Sequence, residues 1–183
     1  MNLNPTSFNS SWTLFLDRDG VINTRIIGDY ILRWEQFEFI EGVLPALAVF
    51  SKIFNRIVIV TNQQGIGKGF HNAAELESLH DKMLQEIKIA GGRIDRIYYS
   101  PSLAAEQSEF RKPNIGMALQ AKKDFPEIDF SQSLMVGDTM SDMQFGKTAG
   151  MKTVFIGHEK TNSQSNLIDW ELPSLAALSQ KIV

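Results

Sequence analysis

The sequence predicts an α/β protein, a doubly wound and mostly parallel sheet with helices on both faces and no large cap domain. Three observations carry that prediction. Five short apolar runs recur along the chain, and each is followed by a turn and then by residues at helical spacing. The runs are apolar at consecutive positions, which suits strands covered on both faces, as parallel strands are. Polar residues collect directly after the runs, at the carboxyl ends of the strands, where open α/β sheets bind ligands.

Taken in order, TLFLD (13–17) is the first strand, and Val43–Phe54 is the helix that follows an irregular stretch, Thr24–Glu41. RIVIVT (56–61) is the second strand. Ala73–Ala90 is the clearest helix: Leu76, Leu79, Met83, Leu84 and Ile87 share one face, Asn72 caps the start with Glu75 reaching back, and Gly91-Gly92 supply the stop. DRIYYS (95–100) is the third strand, followed by a second irregular stretch, Pro101–Pro113, and a helix over Ile115–Asp124. SLMVGD (133–138), a helix over Ser141–Ala149, KTVFIG (152–157) and a helix over Leu175–Lys181 complete the outline. Alternating strands and helices favour right-handed crossovers.

A length of 183 residues fits one domain, 1–183, large enough to close its own core. The spacings leave no room for an inserted cap fold. A net charge of −3 gives no general attraction to nucleic acid or anionic membranes. Nucleic acid and membrane are therefore not expected partners. No apolar run approaches a membrane span, and the start, MNLNPTSFNS, lacks a basic segment followed by an apolar one, so a cytoplasmic location is expected. There is no cysteine, which excludes disulfides and thiolate metal sites. No zinc is expected. GIGKG (65–69) invites a nucleotide-loop reading, but a Walker loop needs Gly where Asn62 stands and a hydroxyl where Gly69 stands. His71, His80 and His158 have no partners at ligand spacing and read as structural or surface residues.

The acids are the main chemical signal. The first strand ends in Asp17-Arg18-Asp19, the second in Thr61-Asn62-Gln63, and the fourth in Gly137-Asp138, with Asp142 four residues on. Two unit charges about 4 Å apart repel by roughly 4 kcal/mol at an effective dielectric near 20, so carboxylates converging on one sheet edge need positive charge among them. A hard divalent cation such as Mg²⁺, held by one or two carboxylates, water and a substrate phosphate, meets that need. Lys112 offers a second positive charge.

Four stretches in this order, DRDGVIN, VTNQQG, RKP and VGDTMSD, resemble the haloacid dehalogenase-like phosphatases. DRDGVIN with TNQQGIGKG is most similar to the group containing histidinol-phosphate phosphatases and D-glycero-D-manno-heptose 1,7-bisphosphate phosphatases. The resemblance covers about Thr13 to Gly157. It implies a Mg²⁺-dependent phosphomonoester hydrolase acting through an aspartyl-phosphate on a small phosphorylated metabolite, with a sugar phosphate ahead of histidinol phosphate.

It further implies Asp17 as nucleophile and Asp19 as proton shuttle. Thr61 and Lys112 would steady the phosphoryl group. The metal falls to Asp17, the Asp19 carbonyl and Asp138. Asp142 is placed either to support the metal or to cap the following helix, where the macrodipole favours acids. Arg18, Asn62, Gln63 and Arg111 are expected to bind substrate, Arg111 by its guanidinium. A carboxylate nucleophile is ionised at neutral pH and needs no base; its difficulty is repulsion by an anionic phosphate, which metal and lysine offset.

Two departures bear on the substrate. The group often carries a cysteine-rich zinc loop where this chain has YYSPSLAAEQSEFRKP, and heptose bisphosphate phosphatases tend to have lysine where this chain has Thr139. The competing class is a non-catalytic phosphate- or partner-binding domain, against which the poised acids argue. A monomer or small homo-oligomer is expected.

Overall fold

The computed structural model describes residues 8–157 and 165–182. His158 lies outside them. Six strands form one sheet: β1 (Thr13–Leu16), β2 (Arg56–Asn62), β3 (Arg96–Ser100), β4 (Ser133–Gly137), β5 (Lys152–Ile156) and β6 (Trp170–Leu172). Their order is β3-β2-β1-β4-β5-β6 and every pairing is parallel. Five helices cover it: α1 (Val43–Ile53), α2 (Ala73–Ile89), α3 (Gly116–Asp124), α4 (Met140–Ala149) and α5 (Leu175–Lys181). The expected class is thus the observed one. β6 is an addition, an edge strand of three residues that no apolar run announces.

Alternation along the strands divides the core in two. Leu14 and Leu16 pack on one face with Leu47 and Phe50 of α1, Met83 and Ile87 of α2, and Leu175 and Leu178 of α5. Phe15, Val58, Val60 and Met135 pack on the other with Met117 and Ala121 of α3 and Phe145 of α4. Val43, Ala46, Leu47 and Phe50 are the buried residues of α1, a stripe at i, i+3, i+4 and i+7 that lays one face of the helix on the sheet. Each large side chain so buried contributes roughly 1.5–3 kcal/mol. No helix among the described residues is long and apolar enough to cross a membrane.

The strand order reverses between β1 and β4, whose registers align Leu16 with Val136. A parallel sheet leaves a crevice at such a switch point, outside the carboxyl ends of its strands. Asp17 continues β1 into that crevice, its N–H donating to Val136 O at 2.9 Å. The segment 24–41 folds back over the same edge. Thr24 N–H donates to Glu38 O at 2.8 Å and Ile40 N–H to Ile22 O at 3.1 Å. Trp34, Phe37 and Phe39 hold this flap as a small aromatic cluster, with Trp34 stacked on Phe37 at 5.1 Å and Phe39 edge-on to Phe37 at 5.0 Å.

Candidate active site

β1 and β4 deliver the acids side by side. Asp17, Asp138 and Asp142 each offer a carboxylate oxygen within 4.8 Å of the others. Two glycines permit this approach. At Gly20, φ is +86°, and a Cβ there would meet Asp138 Oδ2 at 2.1 Å; at Gly137 a Cβ would meet Asp142 Cβ at 2.2 Å. Both distances are far inside van der Waals contact, so neither position admits a larger residue without moving an acid.

Lys112 is the cation among them. It is only 3% exposed, and its Nζ lies 2.9 Å from Asp17 Oδ1 and 2.5 Å from Asp142 Oδ1. The loop carrying it is fixed from below by Asn62, whose side-chain amide donates to Lys112 O at 3.1 Å and accepts from Lys112 N–H at 3.0 Å. Asp142 serves two partners at once. Its second oxygen accepts from the Thr139 N–H at 3.0 Å and the Thr139 hydroxyl at 2.5 Å, closing the capping box that starts α4. Of the two roles expected for Asp142, metal support or helix cap, the cap is present, and the pairing with Lys112 is an addition.

One lysine does not neutralise three acids. Burial pushes the Asp17 carboxyl up to about 7, with Lys112 pulling it down and the neighbouring aspartates pushing it further up. Burial likewise pushes Asp138 up to about 6, Asp142 adding to the rise and Arg25 opposing it. Among the described residues, Asp138 Oδ1 is buried with no hydrogen-bond partner. Oxygen ligands, excess negative charge and an orphaned acceptor fit a small hard cation.

Asp19 differs from its neighbours. Burial would raise it, but the charge of Arg18 and hydrogen bonds from Asn23, Arg18 and Gln63 outweigh that and hold the carboxyl below its usual range. Arg18 grips both oxygens through Nη2 at 2.8 and 2.9 Å. Asn23 donates to Oδ1 at 3.0 Å, and Gln63 donates to Oδ2 at 2.9 Å while also donating to Thr61 Oγ1 at 2.9 Å.

Three residues expected to bind substrate line the cavity, with polar groups engaged inside the fold. Arg18, expected on the substrate, is 1% exposed with its guanidinium turned to Asp19 and His80. Asn62 has its amide on the Lys112 backbone, and Gln63 is buried between Thr61 and Asp19. In each case a nearer polar partner inside the fold captures the side chain. Arg111 lines the cavity as well, with Nη1 donating to Ser102 O at 3.1 Å.

The cavity over Asp17, Asp19, Thr61 and Lys112 measures about 430 Å³. Its rim adds residues that the sequence did not single out as functional. Arg25, on the flap, is 53% exposed and places Nη1 3.2 Å from Asp138 Oδ2. Lys68 lies over the Tyr30 ring at 5.3 Å, and Tyr30 meets Phe70 at 5.5 Å. Lys68 sits in the GIGKG loop, so a reading of that loop as a rim was available; nothing in the sequence marks Arg25. Of the flap aromatics, Tyr30 lines the cavity, whereas Trp34 and Phe37 pack against the core.

A parallel sheet bearing a carboxylate cluster and a buried lysine at its switch point, under a cationic rim, fits a phosphatase built on a doubly wound α/β fold. Comparison with known proteins agrees. A family model described as HAD-hydrolase-like matches residues 109–175. The D-glycero-alpha-D-manno-heptose-1,7-bisphosphate 7-phosphatase of Campylobacter jejuni is 40% identical over 147 residues, covering 80% of this chain and 83% of the relative. The D-glycero-beta-D-manno-heptose-1,7-bisphosphate 7-phosphatase of Escherichia coli K12 is 38% identical over 179 residues, covering 92% of each. A crystal structure of D,D-heptose 1,7-bisphosphate phosphatase from B. bronchiseptica, complexed with magnesium and phosphate, superposes with a TM-score of 0.84 at 27% identity, over 93% of this chain and 97% of that one. The chain belongs to the haloacid dehalogenase-like phosphatases.

Proposed function

We propose that this chain hydrolyses a phosphomonoester of a sugar bisphosphate, a D-glycero-D-manno-heptose 1,7-bisphosphate in the first instance, with Asp17 as nucleophile and Asp19 as proton shuttle. The observation that carries this reading is the cluster of Asp17 with Lys112 and two further acids at the switch point, opening on a cavity of about 430 Å³. Asp17 and Asp138, with the Asp19 carbonyl, would hold Mg²⁺, Asp142 supporting through Lys112. When bound, the ion supplies the charge that lowers repulsion between carboxylate and phosphate and stabilises the equatorial oxygens.

The rest falls to the chain. Lys112 keeps Asp17 oriented and neutralises part of its charge, so that a carboxylate oxygen can meet phosphorus and displace the sugar hydroxyl. Thr61, at the end of β2, offers its hydroxyl to the phosphoryl oxygens. Asp19 rests as a carboxylate, the form that takes a proton from the water cleaving the aspartyl-phosphate. Approach of an anionic phosphate raises its proton affinity, so that it takes up a proton from solvent, gives it to the departing oxygen, and is again the carboxylate when water enters. Arg25, Lys68 and Arg111 surround the cavity mouth, three cations where a monophosphate would need fewer. That rim supports a substrate with a second anionic group and offsets the threonine at position 139.

The test is turnover of heptose bisphosphate, histidinol phosphate, simple sugar monophosphates and a 3′-phosphorylated oligonucleotide with Mg²⁺. A preference for the bisphosphate is expected. Selectivity for histidinol phosphate or the oligonucleotide would reject the substrate class. Asp17→Asn is expected to abolish turnover at unchanged melting temperature, and hydrolysis at the wild-type rate would reject the nucleophile.

A further inference from the structure

Asp19 is supported by a layer that no part of the proposed reaction uses directly. Arg18 is buried, and its guanidinium is directed two ways. Nε and Nη2 donate to Asp19, at 3.3 Å for Nε and 2.8 and 2.9 Å for Nη2. Nη1 lies 3.1 Å from His80 Nε2. A guanidinium only donates, so His80 Nε2 must be the acceptor, with the ring proton on Nδ1. That requires a neutral imidazole, and burial first, then the charge of Arg18, depress the His80 pKa to about 3. His80 is itself 5% exposed on α2, a rigid helix whose capping box at Asn72 is complete. Tyr99 of β3 meets the imidazole edge-on at 6.2 Å.

The acid–base group is therefore held by a chain of contacts running from a helix on one face of the sheet to the cavity. A guanidinium has fixed planar geometry, so fixing Nη1 also fixes the plane in which Nε and Nη2 lie. Without an acceptor at Nη1 the buried group is free to turn toward another partner, and the fork on Asp19 loses its orientation. Asn23 and Gln63 would still bind Asp19, each through one hydrogen bond and without charge. We infer that His80 is a positioning residue for proton transfer: as a neutral acceptor on α2 it sets the plane of the Arg18 guanidinium, which in turn aims the Asp19 carboxylate. This rests on the assignment of Asp19 as proton shuttle.

The test compares His80→Leu, which removes the acceptor, with His80→Gln, whose amide oxygen keeps it, using p-nitrophenyl phosphate and an alkyl phosphate. The alkyl ester needs a proton on its leaving oxygen; nitrophenolate does not. His80→Leu is expected to lower kcat for the alkyl ester by roughly tenfold to a hundredfold at unchanged KM, a fraction of what a general acid supplies. With p-nitrophenyl phosphate it is expected to show a burst of one nitrophenolate per site, because formation of the aspartyl-phosphate proceeds while its hydrolysis slows. His80→Gln is expected to restore most of both. If His80→Leu does not fold, His80→Asn, an amide one methylene shorter, takes its place with the same expectation.

Equal losses for both esters with no burst, or a Gln variant as impaired as the Leu variant, would reduce His80 to a packing residue and overturn the inference. Asp19→Asn separates the two levels. If it changes the leaving-group dependence while His80→Leu does not, only the positioning role fails; if Asp19→Asn leaves that dependence unchanged, the shuttle assignment and the inference fail together.

Discussion

Asn62 lines the cavity and at the same time serves the fold beneath it. The family resemblance implies a substrate contact for it, and in the structure both polar atoms of its amide are on the Lys112 backbone. Losing two such hydrogen bonds costs about 1–3 kcal/mol, and it also loosens the ammonium that balances Asp17 and Asp142. Asn62→Ala is therefore expected to lower both stability and kcat, with KM changed little. Urea denaturation and steady-state kinetics check this, and a rise in KM at unchanged kcat would restore the substrate contact. The residues of the cluster were legible because acids at strand ends need a reason to be there. The supporting roles of Arg18, Asn62 and Gln63 were not, because each depends on a partner that only tertiary structure brings near.

Among the elements, four of the five strands that were legible share a physical trait: each is a run of residues buried on both faces of a covered sheet, whereas β3 at the edge was legible from its β-branched and aromatic residues. β6 lacks that trait, since only Leu172 of its three residues is buried. It joins the sheet by pairing Trp170 with Val154 and Leu172 with Ile156, a register that local sequence does not encode. The helices were placed to within a residue by their apolar stripes, joined in α2 by the cap signal at Asn72 and Glu75. The flap was legible only as irregular chain, and its cationic contribution at Arg25 was hidden. The junction of β4 and α4 gives the element-scale prediction. Gly137 ends the strand where the Asp142 side chain crosses, and a methyl group there must displace backbone or acid by more than an ångström. Overpacking of this order costs about 1–3 kcal/mol. Gly137→Ala is expected to lose that stability together with nearly all turnover, because Lys112 and the start of α4 move with Asp142. An active, stable Gly137→Ala variant would mean that the close approach is not needed.

For the molecule as a whole, the charges buried at the switch point and behind it set opposite dependences of stability on pH. Without a bound cation the folded chain holds Asp17 and Asp138 up, at about 7 and about 6, against an ordinary value of 3.8. Between about pH 4 and 7 the folded state then binds more protons than the unfolded state, so these carboxyls make stability fall as pH rises. His80 acts the other way. Its folded value of about 3 lies below the ordinary 6.5, so the unfolded state binds the proton first and stability rises with pH across that window. The terms partly cancel, which predicts a shallow profile in EDTA. Mg²⁺ binds the deprotonated carboxylates, so its affinity and the stabilisation it confers both grow with pH. The melting temperature is therefore expected to rise only slightly on adding millimolar Mg²⁺ at pH 5 and by clearly more at pH 8. In Mg²⁺ the carboxylate contribution is removed and the histidine slope remains, so the His80→Gln variant is expected to flatten the acid side of that profile. Equal gains at the two pH values would show that the ion does not compete with protons for these acids, and the carboxylate cluster would lose its place as the cation site.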